Sequence, residues 1–272
     1  MLPPDELGAR VNNWMLLLFA GVSLLVYQFL AASILLAWEE PWSLALGIVA
    51  GVVLGILLPF RSLARKLELG FRRQFLFAGF NLWTGFLVVA ATLSLIPALE
   101  VLTEPVARYF PPSSEYFRFV GMMRPDSLWE GLLVFTAVAI AVPIGEELLF
   151  RGLIQRLLFR QARPALAILL AGLLFGAIHP LFSAPAVAVL GFWFGLVMLW
   201  GGNLWYPILA HGVWNLANLS ILLSNPVDDM QQAMPSPFEN APILWLTLSL
   251  LLFGFFAGII RLRLEEASTP AA

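Results

Sequence analysis

The sequence predicts an all-α fold, a polytopic bundle of transmembrane helices. Of its 272 residues, 60% are hydrophobic and only 12% are charged, whereas a soluble domain is usually about half apolar and about a quarter charged. The apolar residues are gathered in runs long enough to cross a bilayer, which takes about 20 helical residues. The first run, Trp14–Trp38, is much longer than the roughly 7–15 residues of a signal-peptide core, so we expect it to be retained.

About eight such runs succeed one another and define a single transmembrane domain over residues 14–260. They are Trp14–Trp38, Trp42–Phe60, Phe75–Leu99, Gly131–Phe150, Pro164–His179, Pro185–Trp200, Tyr206–Leu223 and Ile243–Ile260. The fifth and sixth are short, and one re-entrant pair is an alternative to two full spans. Residues 1–13 then form an N-terminal segment, and residues 261–272 form a tail.

The distribution of charge predicts the orientation in the membrane. With an internal N-terminus, one side of the membrane collects most of the basic residues: Arg61, Arg65, Lys66, Arg72, Arg73, Arg151, Arg156, Arg160, Arg163, Arg261 and Arg263. Because cytoplasmic loops concentrate Lys and Arg, we expect both termini in the cytoplasm and the protein in the plasma membrane. The external segment Glu100–Glu130 is charged and aromatic, which favours a position at the membrane interface or a partly ordered loop.

Composition also excludes several classes of function. The chain has no cysteine, which excludes disulfides, thiol catalysis and thiolate metal sites. It has no basic patch with interleaved aromatic residues, so we expect no nucleic-acid partner. Glycines recur at a spacing of four, which lets helices approach closely; packing within the bundle is the main interpretation, and a dimer face is the alternative. The oligomeric state stays open. These glycines are Gly47, Gly51, Gly55, Gly172, Gly176, Gly191 and Gly195.

One constellation in the apolar sequence contains both histidines of the chain. Its members are Glu146, Glu147, Arg151, Phe175, His179, His211 and Asn215. Ionisable groups at membrane depth are costly, so they usually have a function. Residues four apart share a helix face, so Glu147 can pair with Arg151, and His211 lies beside Asn215. Glu146 is turned by about 100° from Glu147 and is free for another task.

The predicted span limits create one conflict within this constellation. They place His179 near the external end of the fifth span and Glu146 toward the cytoplasmic end of the fourth. The groups meet only if the fourth helix runs on past Phe150 toward Arg160, which would place Glu146 deeper in the membrane. We expect this extension, because span boundaries are the least reliable part of a sequence interpretation.

These side chains are suited to hydrolysis. A carboxylate in an apolar pocket can serve as a general base or acid near neutral pH. A histidine beside it can share the activation of a water molecule, and a second histidine with an asparagine can stabilise a developing oxyanion. Zinc bound by two His and two Glu is an alternative, but the sequence has no HExxH and no pair of histidines at helical spacing. We therefore expect no metal and no cofactor.

Three motifs on separate spans resemble those of the CAAX-processing and bacteriocin-processing (CPBP, or ABI) intramembrane endopeptidases. They are EExxxR in GEELLFRG, FxxxH in FGAIH and HxxxN in HGVWN. The resemblance covers about Gly131 to Leu223 and implies an eight-helix glutamate-dependent protease. It implies that Glu146 is the general base and His179 its partner on the water. His211 and Asn215 would stabilise the oxyanion, and three residues would support the site: Glu147, Arg151 and Phe175.

The sequence therefore favours an endopeptidase that acts near the cytoplasmic face on a peptide or membrane-protein substrate. Two other classes stay open. A transporter could use buried Glu and His as a proton relay, although no internal repeat is visible between the halves of the chain. A non-catalytic immunity or partner protein could use the same motifs for structure alone. The sequence does not say whether the substrate is prenylated.

Overall fold

The computed structural model describes residues 6–224, 238 and 240–268, and within these ranges it contains helices and no strands. Residues 1–5 and 269–272 of the predicted terminal segments lie outside the described residues. The helices in chain order are α1 (Glu6–Arg10), α2 (Asn13–Trp38), α3 (Pro41–Lys66), α4 (Phe71–Gln74), α5 (Leu82–Tyr109), α6 (Ser114–Gly121), α7 (Leu128–Phe159), α8 (Pro164–Ala177), α9 (Ala184–Gly201), α10 (Trp205–Ser224) and α11 (Pro242–Ser268).

Short polar residues set the ends of these helices. The side chains of Asn12 and Asn81 accept hydrogen bonds from the first-turn amides of α2 and α5. Ser127 caps α7 by accepting from the amide of Glu130, whose carboxylate accepts in turn from the amide of Asp126. This arrangement satisfies amides that the helix itself leaves without partners. Gly202 ends α9 in a left-handed conformation with φ of 53°, which costs glycine little.

The bundle of apolar helices confirms the predicted fold class. Helices lie at all eight predicted places, and six are long and apolar enough to cross a membrane: α2, α3, α5, α7, α9 and α11. Helix α8 is shorter, and α10 is not among the six. The count of eight spans, the possible re-entrant pair and the cytoplasmic position of the termini therefore stay predictions.

The structure corrects the limits of the third span. The prediction began at Phe75, but α5 begins at Leu82 and continues to Tyr109. Leu76 adopts a left-handed conformation with φ of 60°, which interrupts a helix, and Asn81 then provides the new cap. Most of the segment Glu100–Glu130 is also helical, because it includes the end of α5, all of α6 and the start of α7.

The glycines at a spacing of four bring neighbouring helices into close contact. A Cβ atom added at Gly51 would lie 2.6 Å from the carbonyl oxygen of Tyr27 on α2, and one at Gly176 would lie 2.6 Å from the carbonyl oxygen of Ala184 on α9. Neither position has room for a larger residue. The interpretation as packing within the bundle is confirmed at these contacts. The pairs α2–α3 and α8–α9 are thereby held in close contact.

Three segments of π-helix interrupt the long helices. They are Val52–Leu57 in α3, and Thr136–Ala141 and Phe150–Ile154 in α7. A π-helical turn carries one more residue than an α-helical turn and is frequent at functional sites. The two segments in α7 flank the α-helical stretch Val142–Leu149, which carries both glutamates of the constellation.

Candidate active site

Helix α7 carries the first motif to the centre of the bundle. It continues without a break to Phe159, so the expected extension past Phe150 is confirmed. Glu146 and Glu147 therefore lie well inside the helix, and their exposed fractions are 5% and 0%. Nearby Gly145 gives the helix room to pack, because a Cβ there would lie 3.0 Å from the side chain of Val52 on α3.

Three buried side chains form a polar seam between α7 and α9. Arg151 donates from Nη1 to Oε1 of Glu147 at 3.0 Å and from Nη2 to the carbonyl of Gly191 at 2.7 Å. One turn further on, Gln155 donates to the carbonyl of Gly195 at 3.1 Å. The predicted Glu147–Arg151 pair is present, and all three side chains of the seam (Glu147, Arg151 and Gln155) have an exposed fraction of 0%. The glycines on α9 let the seam reach backbone carbonyls directly.

Aromatic rings enclose the guanidinium group of this seam. The Arg151 carbon Cζ lies 4.7 Å from the ring centre of Phe175, 5.3 Å from that of Phe194 and 5.9 Å from that of Phe150. Aromatic faces attract cations, so the rings compensate part of the solvation that burial removes. The seam still leaves Oε2 of Glu147, Nε of Arg151 and Oε1 of Gln155 without a hydrogen-bond partner within the described residues.

His211 connects the two glutamates. Its Nδ1 lies 2.9 Å from Oε1 of Glu147, and its Nε2 lies 3.9 Å from Oε2 of Glu146. The first contact is a hydrogen bond; the second is too long to be one. Because a carboxylate paired with Arg151 accepts hydrogen bonds, Nδ1 of His211 carries the proton in this bond. The imidazole stacks on Phe194, with 5.2 Å between the ring centres.

Glu146 has a different environment from Glu147. Within the described residues no protein group donates a hydrogen bond to its buried Oε2, and the imidazole of His211 at 3.9 Å is its nearest recorded ionic neighbour. A buried carboxylate without donors is costly. Glu147 has one unpartnered oxygen as well, but its Oε1 accepts two hydrogen bonds, whereas Glu146 accepts none within the described residues.

His179 and His211 both lie against the ring of Phe175. The ring centre of Phe175 lies 5.0 Å from that of His179 and 5.6 Å from that of His211. Nδ1 of His179 lies 2.8 Å from the carbonyl oxygen of Phe175. A carbonyl only accepts, so Nδ1 carries the proton, and in the neutral imidazole Nε2 is an acceptor. The sequence predicted Phe175 beside His179, and the structure confirms this contact.

Asn215 is oriented by an irregularity of α7. In the π-helical segment the amide of Val142 donates to the carbonyl of Ala137, five residues back. In that register the carbonyl of Val138 would pair with residue 143, which is a proline without an N–H. The side-chain amide of Asn215 donates to this carbonyl instead, at 2.9 Å. Pro143 and the π-helical turn together thus leave an acceptor that holds Asn215.

A cavity of about 560 Å³ adjoins these groups. Its polar lining includes Tyr27, His179 and Asn215, and apolar residues of α2, α3, α6, α7 and α10 form much of the rest. Two of its lining residues, Val138 and Val142, lie at a spacing of four on α7, and Glu146 continues the same face. Tyr27 is close enough to Glu146 to interact with it electrostatically. Of the catalytic candidates, His179 and Asn215 line the cavity directly, whereas Glu146 and His211 do not.

Several residues of this site carried no recognised signal in the sequence. Tyr27 lies on α2, far from every motif, and Phe194 looks like any other apolar residue of its helix. Gln155 is different, because it follows Glu147 and Arg151 at a constant spacing of four; this stripe of polar residues on one helix face was a usable signal. Gly212 lets α10 approach α7, since a Cβ there would lie 2.6 Å from the carbonyl oxygen of Ala139.

The site contains no grouping suited to a metal ion among the described residues, where no cluster of three or more His, Asp or Glu side chains has suitable geometry. Glu147 is occupied by Arg151 and His211, and His179 is turned toward the carbonyl of Phe175 through Nδ1. The expected absence of a metal stays a prediction, and chelation can test it.

Fold and site together define a multi-pass helical membrane protein with a buried glutamate, a buried histidine and a second histidine on the wall of a cavity. Residues 128–217 match the family model described as type II CAAX prenyl endopeptidase, Rce1-like. The matched segment contains all three motifs, and this match supports the resemblance to the CAAX-processing endopeptidases. This family is one of membrane proteases. No curated protein and no solved structure gave a match.

Proposed function

We propose that the protein is a glutamate-dependent intramembrane endopeptidase in which Glu146 activates the attacking water. One observation carries this proposal: the two adjacent glutamates differ in their partners. Glu147 accepts from Arg151 and His211 on its Oε1, whereas Glu146 accepts no hydrogen bond on either oxygen within the described residues. A carboxylate with free acceptor capacity, one helical turn beyond the cavity-lining Val142, is suited to receive a proton from water.

His179 is the second acceptor for this water in our proposal. Its Nδ1 proton is committed to the carbonyl of Phe175, so Nε2 of the neutral ring can accept a hydrogen bond. The residue also lines the cavity in which water and peptide would meet. Two acceptors, Glu146 and His179, can then hold both protons of one water molecule and leave its oxygen lone pairs for attack.

His211 and Asn215 are the donors to the oxyanion. Because Nδ1 of His211 donates to Glu147, Nε2 carries a proton only when the ring is an imidazolium, and Glu146 is the neighbouring counter-charge at 3.9 Å. Two carboxylates, one guanidinium and one imidazolium then sum to zero, as a buried site requires. Asn215 uses one N–H on the carbonyl of Val138, and its second N–H is available to the oxyanion.

Apart from the water molecule and the substrate, the proposed reaction uses only side chains of this protein. Water gives one proton to Glu146 as its oxygen bonds to the scissile carbonyl carbon, and the carbonyl oxygen becomes the oxyanion that His211 and Asn215 stabilise. When the intermediate collapses, the carbon–nitrogen bond breaks and Glu146 returns the proton to the leaving nitrogen. The products are a carboxylic acid and an amine, and Glu146 is again a carboxylate.

The substrate in this proposal is a peptide or the end of a membrane protein. The cavity of about 560 Å³ is largely apolar, which suits apolar side chains and also an isoprenyl group. Cleavage near the cytoplasmic face follows from the predicted orientation, in which Arg151, Arg156 and Arg160 mark the cytoplasmic side. A plasma-membrane location belongs to the same proposal.

A cleavage assay distinguishes the protease from a transporter or a non-catalytic partner. Membranes containing the wild-type chain should cut prenylated or unprenylated test peptides, and membranes containing Glu146→Ala should not. The two peptide forms reveal whether a prenyl group is required. Activity should persist in a strong chelator. Inhibition that zinc reverses would favour the metal alternative, and equal cleavage by both chains would exclude Glu146 as the base.

A further inference from the structure

Tyr27 is a polar residue of the cavity that none of the motifs includes. It lies on α2, outside the matched residues 128–217, and its exposed fraction is only 5%. It lines the same cavity as His179 and Asn215. Within the described part of the chain its hydroxyl makes no hydrogen bond, although the hydroxyl of a buried tyrosine usually finds a partner.

The position of Tyr27 is closely fixed by α3. A Cβ at Gly51 would lie 2.8 Å from Cδ2 of the Tyr27 ring, and a Cβ at Gly55 would lie 2.7 Å from its backbone nitrogen. Both glycines therefore press α3 against α2 at this one residue. The next residue of α3, Val52, packs in turn near Gly145, the neighbour of Glu146. The glycines thus hold the Tyr27 ring at the level of the catalytic glutamate.

The hydrogen bonds of the attacking water leave one place for a further donor. A water molecule has two protons and two lone pairs, and buried waters typically make about three hydrogen bonds. Glu146 and His179 accept the two protons in the mechanism above, and one lone pair attacks the peptide. The second lone pair needs a donor. His211 and Asn215 are assigned to the oxyanion. Of the two tyrosines on the cavity wall, Tyr27 interacts electrostatically with Glu146, and Tyr116 shows no such interaction.

We propose that Tyr27 is a further catalytic residue, whose hydroxyl donates a hydrogen bond to the water that Glu146 activates and so fixes its orientation for attack. This role rests on the proposed function. It explains why a phenol without a partner of its own stands among apolar side chains on the cavity wall that also carries His179. It also gives α2, which the family match does not include, a part in the chemistry.

The test compares two substitutions of Tyr27 with a matched tyrosine on the same cavity. Tyr27→Phe removes only the hydroxyl and keeps the ring against Gly51, so the melting temperature in detergent should not change. Its kcat should fall by about tenfold, the typical effect of one lost hydrogen bond, while KM stays the same. Tyr116→Phe, also on the cavity wall, should keep the wild-type kcat. Tyr27→Leu, which removes the ring as well, should lower the melting temperature.

The outcomes separate this inference from the proposed function. If the wild type cleaves, Glu146→Ala does not, and Tyr27→Phe retains full kcat, the role of Tyr27 is wrong and the protease stands. A loss in Tyr27→Phe that is matched by a lower melting temperature, or that appears only in KM, would also overturn the role, since it would indicate a structural or binding effect. If wild type and Glu146→Ala do not differ, both proposals fail together.

Discussion

The two sides of α7 at the first motif differ in how their polar groups are used. On one side the polar seam of Glu147, Arg151 and Gln155 is fully buried and bonds to the carbonyls of Gly191 and Gly195. Glu146 is turned by about 100° from Glu147, lies one turn beyond the cavity-lining Val142, and accepts no hydrogen bond among the described residues. The hydrogen-bonded side chains of the seam hold α7 against α9. Glu146, which accepts no such bond, is available to accept a proton. Two consecutive residues, Glu146 and Glu147, thus have different roles because their contacts differ.

The largest effect on the cavity side, next to that of Glu146 itself, should come from His179. His179→Ala should lower the cleavage rate by about 10²–10⁴-fold, the usual contribution of a general acid–base group. Combined with Glu146→Gln it should cost little more, because residues that act as a unit are not additive. Steady-state kinetics of the two single variants and the double variant measure this. Losses that multiply independently would mean that His179 works elsewhere.

On the seam side, Arg151→Ala should lower stability and activity together. It leaves the carboxylate of Glu147 buried with one partner fewer, and breaking a buried pair costs about 3–5 kcal/mol. The double change Glu147→Gln with Arg151→Gln should recover much of the stability, since no charge is then left alone. Thermal unfolding in detergent beside the cleavage assay gives both quantities. A stable but inactive Arg151→Ala variant would instead place Arg151 at the substrate.

Gly212 lies where α10, the helix that carries His211 and Asn215, closely approaches α7. Gly212→Ala would put a Cβ 2.6 Å from the carbonyl oxygen of Ala139, so α10 has to move away from α7, at a cost of about 1–3 kcal/mol. His211 should be displaced with it, and cleavage should fall. Gly254→Ala is the matched control, because nothing lies within 4 Å of a Cβ there. Equal melting temperatures for the two variants would show that the close approach is not required.

Pro143 should have the smallest effect of this series. Pro143→Ala supplies an N–H that can compete with Asn215 for the carbonyl of Val138. Loss of one neutral hydrogen bond is worth about 0.5–1.5 kcal/mol, so the rate should fall no more than about tenfold. Asn215→Ala combined with Pro143→Ala should be no slower than Asn215→Ala alone. A further drop in the double variant would assign Pro143 a separate role.

Much of this site could be predicted because its spacing is local. Glu147 and Arg151 lie four apart on one helix, and so do Phe175 and His179, and in each case the structure has the predicted contact. Helix periodicity fixes such pairs without knowledge of the tertiary fold. The fold class could likewise be predicted, because composition and the length of the apolar runs do not depend on tertiary contacts.

The remaining features depend on contacts between distant parts of the chain. Tyr27 joins the site through the packing of α2 on Gly51, and no local pattern marks it. The hydrogen bond of Asn215 depends on a π-helical turn and a proline of another helix. The late start of α5 depends on the backbone at Leu76, whose residue type does not favour the left-handed conformation. Sequence periodicity contains none of this information.

The difference between Glu146 and Glu147 is the central claim, and one paired measurement tests it. Glu146→Gln and Glu147→Gln are the same chemical change at adjacent positions, and each is followed by cleavage rate and by melting temperature in detergent. We predict that Glu146→Gln loses at least about 10³-fold in rate with an unchanged melting temperature, whereas Glu147→Gln melts at a lower temperature because Arg151 loses its counter-charge. A stable, inactive Glu147→Gln beside an active Glu146→Gln would contradict the account.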